Sequence, residues 1–235
     1  IYTAYFMAPS MRAIVKPGIE IMAALPTVIL GFLGGFWLAP IIEANLSSVL
    51  SIFVFLPVVL FLFALAWSSL PDKLIKATSG WYGLIVTPLI LLSVYLAFAL
   101  GPFFENVFFD GDSRAWFLEV MGLNYDQRNA LVVGIIMGLA VIPTIFSISE
   151  DAVFAVPSHL IRGSLALGAT HWQTLVKVVL LTASPGIFSA VMIGMGRAVG
   201  ETMIVLMATG NTPLMDFNIF EGMRTFAANI AVELP

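Results

Sequence analysis

The sequence predicts an all-α, polytopic transmembrane helix bundle, and three observations carry that reading. The 235 residues are 60% hydrophobic and only 10% charged, against roughly 25% charged in soluble domains. Mean hydropathy is +1.02. Apolar runs near 20 residues in length recur, which is what a hydrocarbon core ~30 Å thick asks of a helix. The net charge of −4 gives nucleic acid no electrostatic footing. With no cysteine, disulfides and thiolate metal sites are excluded, and the two histidines lie outside any HExxH spacing, so no metal site is predicted.

Taken in order, residues 1–9 are apolar without a basic leader and read as the tail of a first span, not as a signal peptide. The chain is therefore expected to be an internal piece lacking both ends of a longer polypeptide, a single transmembrane domain over 1–235. Residues 10–18 form a loop with Arg12 and Lys16. A span at 19–42 follows, with Glu20 near its N-terminus, where a carboxylate suits the helix dipole. Pro26 lies inside this span, and Gly31 and Gly35 form a small-residue face for close helix packing. Further spans are predicted at 49–70, 81–101, 129–148 and 178–209. Trp81 and Tyr82 anchor one at the interface. Gly134 and Gly138 form a second packing pair in another, with Pro143 near its end.

The loops assign the sides of the membrane. Loops 10–18, 71–80 and 150–177 hold six Lys and Arg residues, and the alternate segments 43–48, 102–128 and 210–235 hold three. Acids split the opposite way, three against nine. Bases gather in cytoplasmic loops, so the first set is cytoplasmic. Asn211, Thr212 and Asp216 on the other side read as a solvated turn, with an outer vestibule as the alternative.

The connection at 150–177 is far longer than the usual 2–6 residues. Pro157 suits a helix start, and Ser158 offers a capping oxygen. Ile161, Leu165, Gly168 and Trp172 recur at helical steps, leaving Arg162, Ser164 and His171 off that face. Gly168 also permits a sharp turn. This amphipathic stretch either lies on lipid or docks a soluble partner.

The string LALGATHWQTLVKVVLLTASPGI resembles the cytoplasmic "EAA" coupling loop of ABC importer permeases. With Gly168 as anchor, the Glu-Ala-Ala positions fall on Arg162, Gly163 and Ser164, and the following Ile, Leu and Pro positions on Val178, Leu180 and Leu181. Arg162 thus replaces the family's glutamate, and Leu181 its proline. IEIMAALPTVILGF and GMGRAVGETMIVLMATGNTP resemble the phosphate-specific (Pst) permeases, of PstC/PstA type. Members of that family pass from the span resembling 19–42 almost directly to the one resembling 129–148. Here two more spans intervene, an even number that preserves orientation.

The resemblance implies a type I ABC importer-like fold. It implies a permease subunit of an ATP-driven importer that carries an inorganic oxyanion, phosphate foremost, across the bacterial cytoplasmic (inner) membrane. The chain contains no G-x-x-x-x-G-K-[ST] loop. It is thus expected not to be an enzyme and to bind no cofactor itself, with ATP and Mg²⁺ on partner ATPase subunits docked at Arg162, Gly163, Ser164, Gly168 and Ala169. A second permease subunit and a periplasmic or surface-tethered binding protein complete the implied set of partners. The alternatives are an ATP-independent secondary anion transporter or channel, and a membrane scaffold without transport.

Arg197 and Glu201 are the only charges between Val178 and Met215. Each costs about 2.5–3.5 kcal/mol within a bilayer on insertion scales. On one helix they share a face, although glutamate-first is the better order for a local pair. Three readings follow: an ion pair that locks helices, a gate, or an anion path in which the arginine fork meets the oxyanion while Glu201 holds it between substrates. The resemblance implies the path or the gate. Gly196 and Gly200 beside the pair leave room for another helix.

Overall fold

The computed structural model describes residues 2–71, 81–213 and 217–233. Asp72, Lys73, Lys76 and Asp216, used above, lie outside the described residues. The chain is all-α, with no strand among the described residues. Among the described residues, five stretches are long and apolar enough to cross a membrane: Thr27–Ala44, Leu46–Ser68, Tyr82–Met121, Ala130–Phe154 and His171–Gly200.

The chain divides into two compact units. One comprises Ile1–Leu25 and Met137–Glu201, the other Pro26–Ile136 and Thr202–Pro235. In the first unit, α1 (Tyr2–Tyr5) and α2 (Pro9–Ala23) precede the second half of α7 (Ala130–Phe154). They are followed by α8 (Ser158–Ala166) and α9 (His171–Gly200). The expected partial span 1–9 and loop 10–18 are replaced by α1 and by a helix that begins at Pro9. Proline is preorganised for the first helical turn, where its missing N–H costs nothing. Val153, Val156, Leu175, Val179 and Ala183 form a buried core, against which Ala4, Tyr5, Phe6, Ile161, Leu180 and Ile187 pack.

The second unit holds α3 (Thr27–Ala44), α4 (Leu46–Ser68), α5 (Tyr82–Phe108), α6 (Ser113–Met121), the first turns of α7, α10 (Met203–Ala208) and α11 (Phe226–Glu233). The span expected at 19–42 starts instead at Thr27. Pro26 is extended, with ψ 130°, because proline lacks the N–H to continue a helix and disfavours the helical conformation in the residue before it. The helix expected over 81–101 runs on to Phe108, and α6 occupies part of the expected loop 102–128. Asp112 caps α6, its Oδ1 accepting from the backbone N–H groups of Arg114 (3.0 Å) and Ala115 (3.3 Å).

The Gly31/Gly35 face packs on α10. A Cβ on Gly31 would lie 2.9 Å from the Met203 carbonyl oxygen, and one on Gly35 would overlap that of Met207. Gly134 and Gly138 differ from expectation: a Cβ on either meets no atom within 4 Å. The tail beyond 210 is not merely polar. Backbone N–H groups of Ala130 and Leu131, at the open start of α7, donate to the carbonyls of Glu221 and Ile219 at 3.0 Å each. Helices α4 and α5 pack on each other and leave Phe53, Phe61, Leu91 and Phe103 exposed. Such side chains suit a hydrocarbon surround.

Candidate functional site

The residues expected to couple to an ATPase lie on a helix–turn–helix. Helix α7 runs to Phe154, so the long expected loop shrinks to a joint at 155–157, α8 and a turn at 167–170. Pro157 precedes the first residue of α8, and Ser158 makes no capping bond. Helix α8 ends in a turn that requires glycine: Gly168 has φ +84°, a region where a Cβ is strained. Gly168 N–H donates to Leu165 (3.0 Å), and Ala169 N–H to Ser164 (3.2 Å).

Thr170 then opens α9 with a capping box. Its Oγ1 accepts from Gln173 N–H (3.2 Å), while Gln173 Oε1 accepts from Thr170 N–H (3.0 Å). A π-turn at Leu175–Val179 carries the chain into the long part of α9. The hydroxyls of Ser164 and Thr174 lie 3.0 Å apart and tie the two arms of the turn together.

The expected stripe therefore splits. Ile161 and Leu165 are half-buried, and Ile161 packs on the core, whereas Gly168 and Trp172 are exposed. The reversal at Gly168 places Trp172 on a new helix, so four evenly spaced positions do not share one face. Arg162 and Gly163 are exposed, Ser164 and Ala169 half-buried, and Leu167 is 91% exposed.

Arg197 occupies the last turn of α9, where a cation meets the negative end of the helix dipole. The expected continuous span 178–209 is broken here. Glu201 is extended, with φ −70° and ψ 123°, and α10 begins at Met203. Glycines at 194, 196 and 200 weaken the helix approaching the break. Consequently Arg197 and Glu201 do not stack as i and i+4 on one helix, and among the described residues they form no ion pair. The half-buried Arg197 instead donates from Nη1 to Thr144 Oγ1 at 2.8 Å. Thr144 follows Pro143 on α7.

Gly196 and Gly200 face open space, and it is Gly194 that admits a neighbour: a Cβ there would lie 2.5 Å from Ile145. Asn211 has φ +56°, and its N–H donates to the buried Thr209 Oγ1 at 3.2 Å. That oxygen also lies 2.7 Å from the Met223 carbonyl oxygen. This turn is packed, not a plain solvated one.

Sequence reasoning missed Thr144 and Glu150. Glu150 was counted as a loop acid, yet it is 1% exposed on α7. Arg12 Nε lies 3.3 Å from one carboxylate oxygen and Lys16 Nζ 3.0 Å from the other. The available signal was the i, i+4 spacing of Arg12 and Lys16, which puts two cations on one helix face.

No protein-family profile matches the chain, and no solved structure does. Curated proteins do. Phosphate transport system permease protein PstC 1 of Mycobacterium tuberculosis is 31% identical over 204 residues, covering 83% of this chain and 60% of that protein. The probable ABC transporter permease protein YqgH of Bacillus subtilis is 41% identical over 100 residues, covering 43% of this chain and 32% of that protein. Phosphate transport system permease protein PstA of Mycobacterium leprae is 34% identical over 96 residues, 41% of this chain and 32% of that protein. The chain spans less than two thirds of each of these relatives. Strings resembling Pst permeases, five membrane-capable helices and these relatives agree: the chain belongs to the phosphate transport system (Pst) permease family, PstC/PstA type.

Proposed function

We propose that this chain is the membrane-spanning permease subunit of an ATP-driven importer of phosphate in the bacterial cytoplasmic membrane. The match to a phosphate transport permease over 83% of the chain carries the reading. Separate ATPase subunits hydrolyse ATP and dock on the α8–α9 turn through Arg162, Gly163, Ser164, Gly168 and Ala169. A second permease subunit completes the pathway, and a substrate-binding protein delivers the anion from the opposite side. The exposed Leu167 and Trp172 support this assignment, since large apolar side chains beside exposed charge are characteristic of a protein-binding surface.

Arg197 is the proposed substrate contact, and Glu201 belongs to the same path. A guanidinium carries five N–H donors. The Thr144 bond orients the fork through Nη1 and leaves further donors for an oxyanion, which arginine meets in a bidentate manner. The break after Gly200 supports the reading, because non-helical backbone at membrane depth is tolerated where it lines a cavity or is buried in protein.

The test is uptake of labelled phosphate, sulfate and molybdate by the complex reconstituted in vesicles. ATP-dependent accumulation of phosphate in preference to the other two is the expected result. Uptake without ATP would favour a secondary transporter or channel, and no uptake of any of the three would refute the proposal.

A further inference from the structure

Glu150 is the most buried ionisable side chain on α7, and the transport reading above gives it no role. It lies one turn before Phe154, where α7 gives way to the joint leading into α8. Arg12 and Lys16, one turn apart on α2, both reach its carboxylate, at 3.3 and 3.0 Å. Arg12 does more than neutralise. Its Nη2 donates to the Ala4 carbonyl at 3.1 Å, and its guanidinium carbon lies 4.1 Å from the centre of the Phe154 ring. One side chain thus ties α1, α2 and the end of α7 together.

The apolar core continues the same joint. Val153 at the end of α7 and Val156 of the joint pack with Leu175 and Val179 of the turn's second arm, while Tyr5, Phe6 and Ile161 cover them. The N-terminal segment and the proposed ATPase-docking turn are therefore parts of one packed block.

A buried carboxylate with two cations is a costly way to hold helices, because desolvation offsets the attraction and apolar side chains would pack as well. What charge adds is register. Apolar contacts tolerate sliding, but a carboxylate deprived of its cations in this position is left buried and unpaired.

We propose that Glu150 is a positioning residue for energy coupling. Its carboxylate fastens α2 to the base of the docking turn, so that a displacement of α8 moves the N-terminal helix with it and is not absorbed at 155–157. The inference rests on the importer reading.

The test uses the whole transporter in vesicles and measures phosphate accumulated per ATP hydrolysed. Glu150→Gln is expected to assemble and hydrolyse ATP, with uptake per ATP falling about tenfold, within the range of measured coupling effects. Asp151→Asn, which alters the exposed neighbouring carboxylate, should leave the ratio unchanged. The chain has no cysteine, so Lys16→Cys/Glu150→Cys can be bridged by a short bis-methanethiosulfonate and released by reductant. The ratio should rise on bridging and fall on release in the same sample. A role confined to folding would not produce that reversal.

An unchanged ratio in assembled Glu150→Gln would overturn the inference, as would a cysteine pair whose ratio ignores the bridge. If Glu150→Gln does not assemble, the cysteine pair alone decides. Wild-type vesicles that take up no phosphate with ATP would instead refute the importer reading, so the two failures are distinguishable.

Discussion

Single side chains decide how charge is housed in this chain. Arg197 is oriented by Thr144, 53 residues earlier in sequence, and not by Glu201, four residues later. If the planar fork is what meets substrate, Arg197→Lys retains charge but loses bidentate geometry. Phosphate uptake should fall at least about tenfold while assembly, followed by co-purification of the subunits, is preserved; the loss of one charge-assisted pair is of that order. Full uptake by an assembled Arg197→Gln transporter would remove Arg197 from the path.

Lys16 gives a second prediction, in pH. The hydrogen bond to Glu150, and then its charge, raise the Lys16 pKa above the ordinary 10.5, against a smaller lowering by desolvation. The unfolded chain therefore releases this proton first as pH rises. The contribution is complete below 10.5 and is lost as pH climbs through the higher folded value. Melting curves of the purified protein should show wild type and Lys16→Met apart up to pH 10.5 and converging above it.

At the scale of elements, glycine identity matters where backbone or neighbour demands it. Gly168 sits in the left-handed region at φ +84° with open space around it. Gly168→Val therefore strains the turn itself, by about 1–2 kcal/mol. It should weaken ATPase co-purification while α7 and α9 remain folded by circular dichroism. Gly35 is the opposite case, with no unusual φ but a backbone carbonyl, that of Met207, where a side chain would go. Gly35→Leu should destabilise by about 1–3 kcal/mol or more by overpacking. Gly134→Ala, facing open space inside α7, should instead stabilise by up to about 1 kcal/mol, because glycine is less favourable than alanine in a helix interior. Thermal melts of the two variants side by side test the contrast.

For the whole molecule, the charge bias of alternate loops predicts a cytoplasmic location for the α8–α9 turn and the opposite one for the start of α6. The cysteine-free chain makes this directly measurable. In right-side-out vesicles, a membrane-impermeant maleimide should label Asp112→Cys but not His159→Cys, both at exposed positions. The reverse pattern would invert the topology.

The sequence by itself determined the class of molecule, the number of complete membrane-capable stretches and the family. Hydrocarbon thickness imposes a run length that can be counted, and the GRAVGET and LGATHWQT strings are local. It also allowed a sharp turn at Gly168, while reading it as part of one helix face, and it set Pro157 as a helix boundary, because backbone restrictions belong to single residues. It started α3 at Ile19 where the helix begins at Thr27, and it missed the break at Glu201, because proline and glycine weaken helices without deciding where each one ends. Only the tertiary structure decided the partners of the charged side chains. Glu150 meets Arg12 across 138 residues, and Arg197 finds Thr144 on another helix. Helical periodicity says which face a residue occupies, but the neighbour across that face is fixed only when the helices pack.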